Sequence, residues 1–239
     1  VWVISDTLQP IILAALWVAV ANTGTRDFTV DSIVSYYFMV AIVSRFTQDY
    51  SVQFVSNSII EGDFSKYLIR PFNYLAEMFG ISLAIRTLRL ILLIPLLVIG
   101  YFFLRDYLDY DLSIQTLFLF FLSIIIGYII SFFLGNIFAL LAFFVKQIVG
   151  LRALYVNVIS ILSGEYIPYA VLPVGLFFLL EILPFRYVLS FPIEIISGTL
   201  YMDQIRKGFL ISMVWVVILY IVYKLVFKYS IKKYESEGI

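Results

Sequence analysis

The 239-residue chain contains no cysteine and no histidine. Their absence excludes disulfides, thiolate-held clusters, imidazole-bound metals and Cys–His nucleophile pairs. Charge is also scarce: Asp, Glu, Lys and Arg make up 13% of the residues, against about 25% in a soluble domain. Sixteen basic and sixteen acidic side chains cancel, so net charge gives a nucleic-acid partner no support. No Gly-x-x-x-x-Gly-Lys-[Ser/Thr] phosphate loop occurs, so a nucleotide that drives this protein would be held by another chain. No cleavable leader is expected at the start. The sequence opens on Val1 rather than Met, and the expectation is that residues precede it.

What remains is apolar. Hydrophobic residues make up 63% of the chain and the mean hydropathy is +1.03. Several runs approach or exceed the roughly 20 residues that cross a bilayer. They are continuous and rich in Leu, Ile and Phe, without the alternation of a membrane barrel. The expected fold is an all-α polytopic membrane protein with about six transmembrane helices, forming a single domain over residues 1–239.

The first span is expected from Val3 to Ala21, with Pro10 inside it as a kink. The polar turn 22–27 leads to a second span, Val30–Ser44, whose helix is expected to continue into Arg45–Glu61. Arg45 and Asp49, at i and i+4, suit a helix emerging into water. A third span covers Ile81–Leu104, followed by a tyrosine-rich acidic loop over 105–111, as at a membrane interface. The apolar stretch from Leu112 to Val145 would measure roughly 50 Å as one helix, and reads as a fourth span with an extension. A fifth runs over Val149–Ser163 and a sixth over Gly208–Phe227. Between them Pro168, Pro173, Pro184, Pro192 and Gly198 break the chain, which predicts two short helices dipping into the outer leaflet and returning. With residues 45–89, 146–152 and 224–239 on one side, that side holds eleven Lys and Arg against five on the other. The positive-inside rule makes it cytoplasmic, together with both termini.

The polar island Glu61–Pro71 lies between two of these apolar stretches. Gly62 can end a helix in the left-handed conformation, and Asp63 can cap a short helix over Phe64–Ile69. Pro71 prevents that helix from running on, and Asn73 can cap the next. Phe64, Tyr67 and Leu68 read as apolar anchors, either for the groove of a soluble partner or for lipid headgroups.

The order Glu61-Gly62-Asp63-Phe64-Ser65-Lys66-Tyr67-Leu68-Ile69-Arg70-Pro71 resembles the coupling signature of the type-2 permeases of ABC exporters. The proline-broken outer segment, with Leu183-Pro184-Phe185, Pro192 and Gly198, is similar to that family's re-entrant outer helices. The tail Lys232-Lys233-Tyr234-Glu235-Ser236-Glu237-Gly238 resembles the closing motif of a daunorubicin-exporter-like branch. The interfacial helix that usually precedes the first span has no counterpart in this sequence. The resemblance implies a permease subunit that works with ABC ATPase subunits and with a second, identical or homologous, permease. On that reading Glu61, Gly62, Asp63, Phe64, Tyr67, Leu68, Arg70 and Pro71 couple to the ATPase, while ATP and Mg are bound by the partner and no cofactor or metal by this chain. The expected setting is the plasma membrane, with lipid around the spans and an amphipathic or lipid-like cargo passing between permeases.

Other residues carry weaker signals. Gly164, Glu165, Pro168, Glu181 and Pro184 read as an outer gate, although Glu181 is more simply explained by facing outside water. Arg86 and Arg89, at i and i+3 early in the third span, suit snorkelling or an inter-helix pair. Most aromatics suit interface anchoring, with Phe132, Phe133, Phe143 and Phe144 as candidates for lining a pathway. Three rival readings stand beside the exporter. An ion-coupled secondary transporter should carry ionisable residues in its span cores, and the second and fourth offer none. An intramembrane enzyme of lipid or glycan chemistry would have to work with carboxylates alone. A membrane scaffold would show no nucleotide-dependent change.

Overall fold

The computed structural model describes residues 2–23, 29–69, 73–145 and 148–236. Every regular element among them is helical: α1 (Trp2–Ala21), α2 (Val30–Thr47), α3 (Ser51–Ile60), α4 (Ser65–Ile69), α5 (Tyr74–Leu104), α6 (Ile114–Leu140), α7 (Ile148–Leu162), α8 (Val174–Ile182), α9 (Ser190–Ile196) and α10 (Met202–Ser236). Short 3₁₀ turns follow α5 and α6, and others occupy 169–171 and 184–188. The protein is an all-α polytopic membrane protein.

The segments Tyr74–Tyr107, Ile114–Phe143 and Met202–Lys233 are each long and apolar enough to cross a bilayer. Thr7–Ala21 and Gly150–Leu162 are shorter apolar helices. The helix α6 is the hub and packs on α2, α3, α7, α9, α10 and the 184–188 turn. More than half of its apolar window is buried (56%), against 6% for α5, whose Leu88, Ile91, Leu92, Ile94 and Ile99 face outward. An apolar face left open in this way suits lipid as its solvent.

Local chemistry explains most boundaries. Thr29 Oγ1 accepts from Ser32 N–H at 3.2 Å and starts α2. Asn73 Oδ1 accepts from Leu75 N–H at 2.9 Å, so α5 begins seven residues before the expected Ile81. Ser113 Oγ does the same for α6 by accepting from Thr116 N–H at 3.2 Å. α1 continues through Pro10. The two short helices expected in the proline-broken segment are α8 and α9.

The expected continuation of α2 to Glu61 does not occur. The backbone is extended at Gln48, and the chain restarts as α3 at Ser51. Asp49 produces the restart, its Oδ2 accepting from Ser51 N–H at 3.0 Å and from the Ser51 hydroxyl. Arg45 and Asp49 are both buried and do not form an exposed helical pair. Arg45 instead donates to Gln48 Oε1 at 2.9 Å.

Candidate functional site

The α3–α4 elbow follows from its glycine. Gly62 has φ +74°, a conformation that costs any residue with a Cβ about 1–2 kcal/mol. Gly62 N–H donates to the Ile59 carbonyl (3.3 Å) and Asp63 N–H to the Ser58 carbonyl (2.9 Å). These two bonds form the Schellman closure of a helix. Asp63 therefore ends α3 with its backbone and does not cap α4 with its carboxylate. The carboxylate pairs instead with Lys66 Nζ at 3.1 Å, in solvent. That pairing raises the Lys66 pKa.

Phe64 and Tyr67 correct the anchor reading, because both turn inward. The Phe64 ring is fully buried (0% exposed) and meets Phe143 edge-on at 4.9 Å, Tyr67 at 5.7 Å and Tyr74 at 5.9 Å. Tyr74 stacks on Tyr223 of α10 at 6.5 Å and touches Phe227 at 5.1 Å. The elbow is thus fastened to the foot of α6, the start of α5 and the end of α10. Its outward edge is polar: Asn57, Glu61, Gly62, Asp63 and Ser65 are exposed. Arg70 and Pro71 lie outside the described residues, as does the side chain of Leu68.

Behind the elbow is a buried polar node that sequence reasoning missed. Tyr74 OH donates to Asn136 Oδ1 (3.3 Å), and Asn136 Nδ2 donates to Ser51 Oγ (3.0 Å). Ser51 reaches Asp49 Oδ2, and Ser82 Oγ donates to Asp49 Oδ1 at 2.9 Å. Gly135 makes this approach possible, since a Cβ there would meet Asp49 Oδ2. Arg86 belongs to the same node. It donates to the Gln48 carbonyl at 3.1 Å and lies 3.4 Å above the Tyr128 ring, an inter-helix pairing. Arg89 sits 4.2 Å over Tyr50. A lone asparagine in a thirty-residue apolar run was the signal that could have revealed Asn136.

The expected outer-gate residues separate into two groups. Gly164 has φ +94°, and a Cβ would collide with Ser190 Oγ and approach Tyr36 OH to 2.7 Å. Its carbonyl accepts from Tyr36 OH at 2.8 Å, and the Tyr166 carbonyl accepts from Trp17 Nε1 (3.0 Å) and Tyr37 OH (3.2 Å). Glu165 accepts from Gln9 Nε2 at 3.1 Å, and Pro168 is buried beside the 169–171 turn. Glu181 is not simply facing water: it is half-buried, 3.3 Å from Lys207 Nζ and 3.8 Å from Arg186 Nη1. Arg186 also pairs with Glu194. Pro184 starts the turn that delivers Arg186. The two groups meet through Arg186, whose guanidinium lies 6.0 Å from the Tyr169 ring.

Of the four phenylalanines expected along a pathway, Phe132 is buried against Phe79 (5.7 Å) and Phe133 packs on Tyr220 (5.7 Å). Phe143 holds Phe64, and Phe144 is exposed with Lys233 Nζ 5.1 Å from its ring. Phe132 and Phe133 touch each other (5.9 Å), while Phe143 and Phe144 lie at the turn that ends α6.

Compared with known proteins, residues 8–238 match a family model described as ABC-2 family transporter protein. The chain belongs to the ABC-2 transporter family. It is a multi-pass membrane permease subunit of an ABC transporter, and membership implies association with ABC ATPase partners. No curated protein and no solved structure matches the chain. In this ABC-2 permease the resemblance carried by the Gly62–Pro71 pattern thus extends over nearly the whole sequence.

Proposed function

We propose that this permease is the membrane half of an exporter, and that the α3–α4 elbow receives the ATPase. One observation carries the reading: the elbow's apolar rings are used up inside the subunit, leaving outward a small polar edge of Glu61, Ser65 and the Asp63–Lys66 ion pair. Such an edge suits a polar partner surface of complementary charge rather than a greasy groove. On this reading α1, α2, α5, α6, α7 and α10 form the six crossings of a single permease domain. The elbow and both termini are cytoplasmic, and the membrane is the plasma membrane. ATP and Mg are bound by the partner, which matches the missing phosphate loop. A second permease copy or a homologue completes the pathway, and an amphipathic molecule is the cargo. The α8–α9 segment, the Gly164–Glu165 corner and the Glu181–Arg186 cluster close the outer end.

Affinity purification of the full chain from its native membrane tests this. A soluble ABC ATPase retained in stoichiometric amount, and lost when Glu61 and Asp63 are both changed to Lys, is the expected result. No ATPase after mild extraction refutes the reading.

A further inference from the structure

One outward lane of α10 changes character along its length. Leu210, Met213, Val217 and Ile221 are exposed, and the exposed Lys224, Lys228 and Lys232 follow them. At about 100° per residue all seven positions fall within roughly 100° of the helix circumference. A different side of the same helix packs on the protein: Tyr223 is buried, Phe227 lies against the core, and Ser230 Oγ donates to the Leu140 carbonyl at 3.3 Å. From Leu210 to Ile221 the apolar part measures about 17 Å at helical rise, close to the roughly 15 Å of hydrocarbon in one leaflet. The basic part begins where that depth ends.

The two ends of α10 treat their charges differently. At the start Arg206 pairs with Asp203 at 3.5 Å and Lys207 with Glu181 at 3.3 Å. Among the described residues no carboxylate pairs with Lys224, Lys228 or Lys232, and the Lys224 ammonium lies 4.8 Å from the Tyr220 ring. Like charges one turn apart repel. Relief of the helix dipole reaches only the last turn, and Lys224 stands twelve residues before Ser236. Its neighbours Ile221 and Leu225, each 52% exposed, make a purely aqueous face a poor setting for it. An occupant of this lane must meet carbon along Leu210–Ile221 and bring negative charge to Lys224–Lys232. An acidic protein surface supplies only the second, and a zwitterionic lipid sets its own cation against the lysines. We propose that the lane is a site for an anionic phospholipid, with its phosphate at the lysines and an acyl chain along the apolar stretch. Lys224 reaches outward on its stem and Lys232 back towards the membrane, so the three ammoniums attend one headgroup layer. The lipid sits on α10 directly behind Tyr223 and Phe227, the rings that receive Tyr74. Only a membrane-spanning α10 is required, so the site stands or falls apart from the exporter reading.

Because the chain has no cysteine, single-cysteine variants label cleanly. The test places the full chain in phosphatidylcholine nanodiscs, with a bimane probe on Leu225→Cys or, as the bulk-lipid reference, on Leu92→Cys of the outward face of α5. Brominated phosphatidylglycerol is then titrated in as quencher. An exposed lysine near the headgroups is worth about fivefold in anionic-lipid binding, so half-quenching at position 225 is expected at an anionic fraction at least tenfold below that at position 92. Brominated phosphatidylcholine should quench the two positions alike. Changing Lys224, Lys228 and Lys232 together to Gln should abolish the difference, and changing them to Arg should keep it. Equal quenching by the anionic lipid at both positions, or a preference that survives the Gln variant, overturns the proposal. So does its loss in an Arg variant that remains monodisperse. Millimolar glycerol phosphate, the head group without its tails, should leave the quenching unchanged. Displacement by it shows a soluble-anion site and overturns the lipid assignment.

Discussion

Replacing Phe64 by Ala separates two roles that the proposed reading gives the α3–α4 elbow. The side chain is fully buried and touches Phe143, Tyr67 and Tyr74, with ring centroids between 4.9 and 5.9 Å. Truncating a buried phenylalanine costs about 3–5 kcal/mol through lost transfer energy and the cavity left behind. For a chain of this size each kcal/mol lowers Tm by about 2–4 °C, so a fall of about 10 °C is expected. The paired change Glu61→Lys with Asp63→Lys alters only exposed positions and should leave Tm within about 2 °C. The assay is thermal unfolding of the purified permease in detergent, followed by retention of the ATPase at a temperature where both variants are folded. Phe64→Ala should melt early, while the double charge reversal melts normally and loses the ATPase. An unchanged Tm for Phe64→Ala, or a charge reversal that melts early, would refute the division into an inward apolar face and an outward polar one.

Gly164→Ala must adopt a left-handed backbone and collides with Ser190 Oγ. A loss of about 2–5 kcal/mol, seen as a collapse of the monodisperse peak in size exclusion, is expected. Arg186→Met leaves Glu194 buried opposite an apolar side chain and should cost about 3–5 kcal/mol, whereas Arg186→Met with Glu194→Leu recovers most of it in thermal unfolding. Equal losses for single and double variants would show that the pair is not what holds the 184–196 segment. Asp111, in the loop before α6, has its carboxyl held below the usual range by hydrogen bonds from Thr116, chiefly, and Ser113. A depressed folded pKa gives stability that is complete above the unfolded value of about 3.9 and is lost as pH falls through the folded one. The Tm gap between wild type and Asp111→Asn should therefore be flat from pH 8 to 5 and close only in stronger acid.

The sequence was readable where structure is local. Continuous apolar runs located α1, α6 and α7, proline spacing located α8 and α9, and Gly62 marked the end of α3 through a conformation few other residues accept. It was unreadable where tertiary burial reverses a local signal. Arg45 and Asp49 have the spacing of a solvent-exposed helical pair, but the folded chain buries both, and Asp49 breaks the helix by binding Ser51. Phe64 and Tyr67 would look the same facing a partner or facing home, because a five-residue helix has too few positions to show which side is covered. Of the outer segment's carboxylates, Glu165 and Glu181 stood out in the sequence and Glu194 did not, while Arg186, which gathers Glu181 and Glu194, lies five residues from one and eight from the other. Only the folded chain brings the three together.

The aromatic clamp around Phe64 also has a mechanical meaning. Its rings touch the foot of α6 through Phe143 and the base of α5 through Tyr74, and Tyr74 in turn presses on Tyr223 and Phe227 of α10. A joint packed this tightly has no play, since a displacement smaller than a methyl group already forfeits contact energy. A thrust on the elbow is then not absorbed by bending α3. On the proposed reading it would be delivered at once to the elbow-side ends of three long helices, as a hand on a tiller moves the whole rudder. The stroke available at the far end is set by helix length and not by the compliance of the joint. At about 1.5 Å per residue α6 alone is a lever of roughly 40 Å, long enough to turn a small push at one membrane face into a larger displacement at the other.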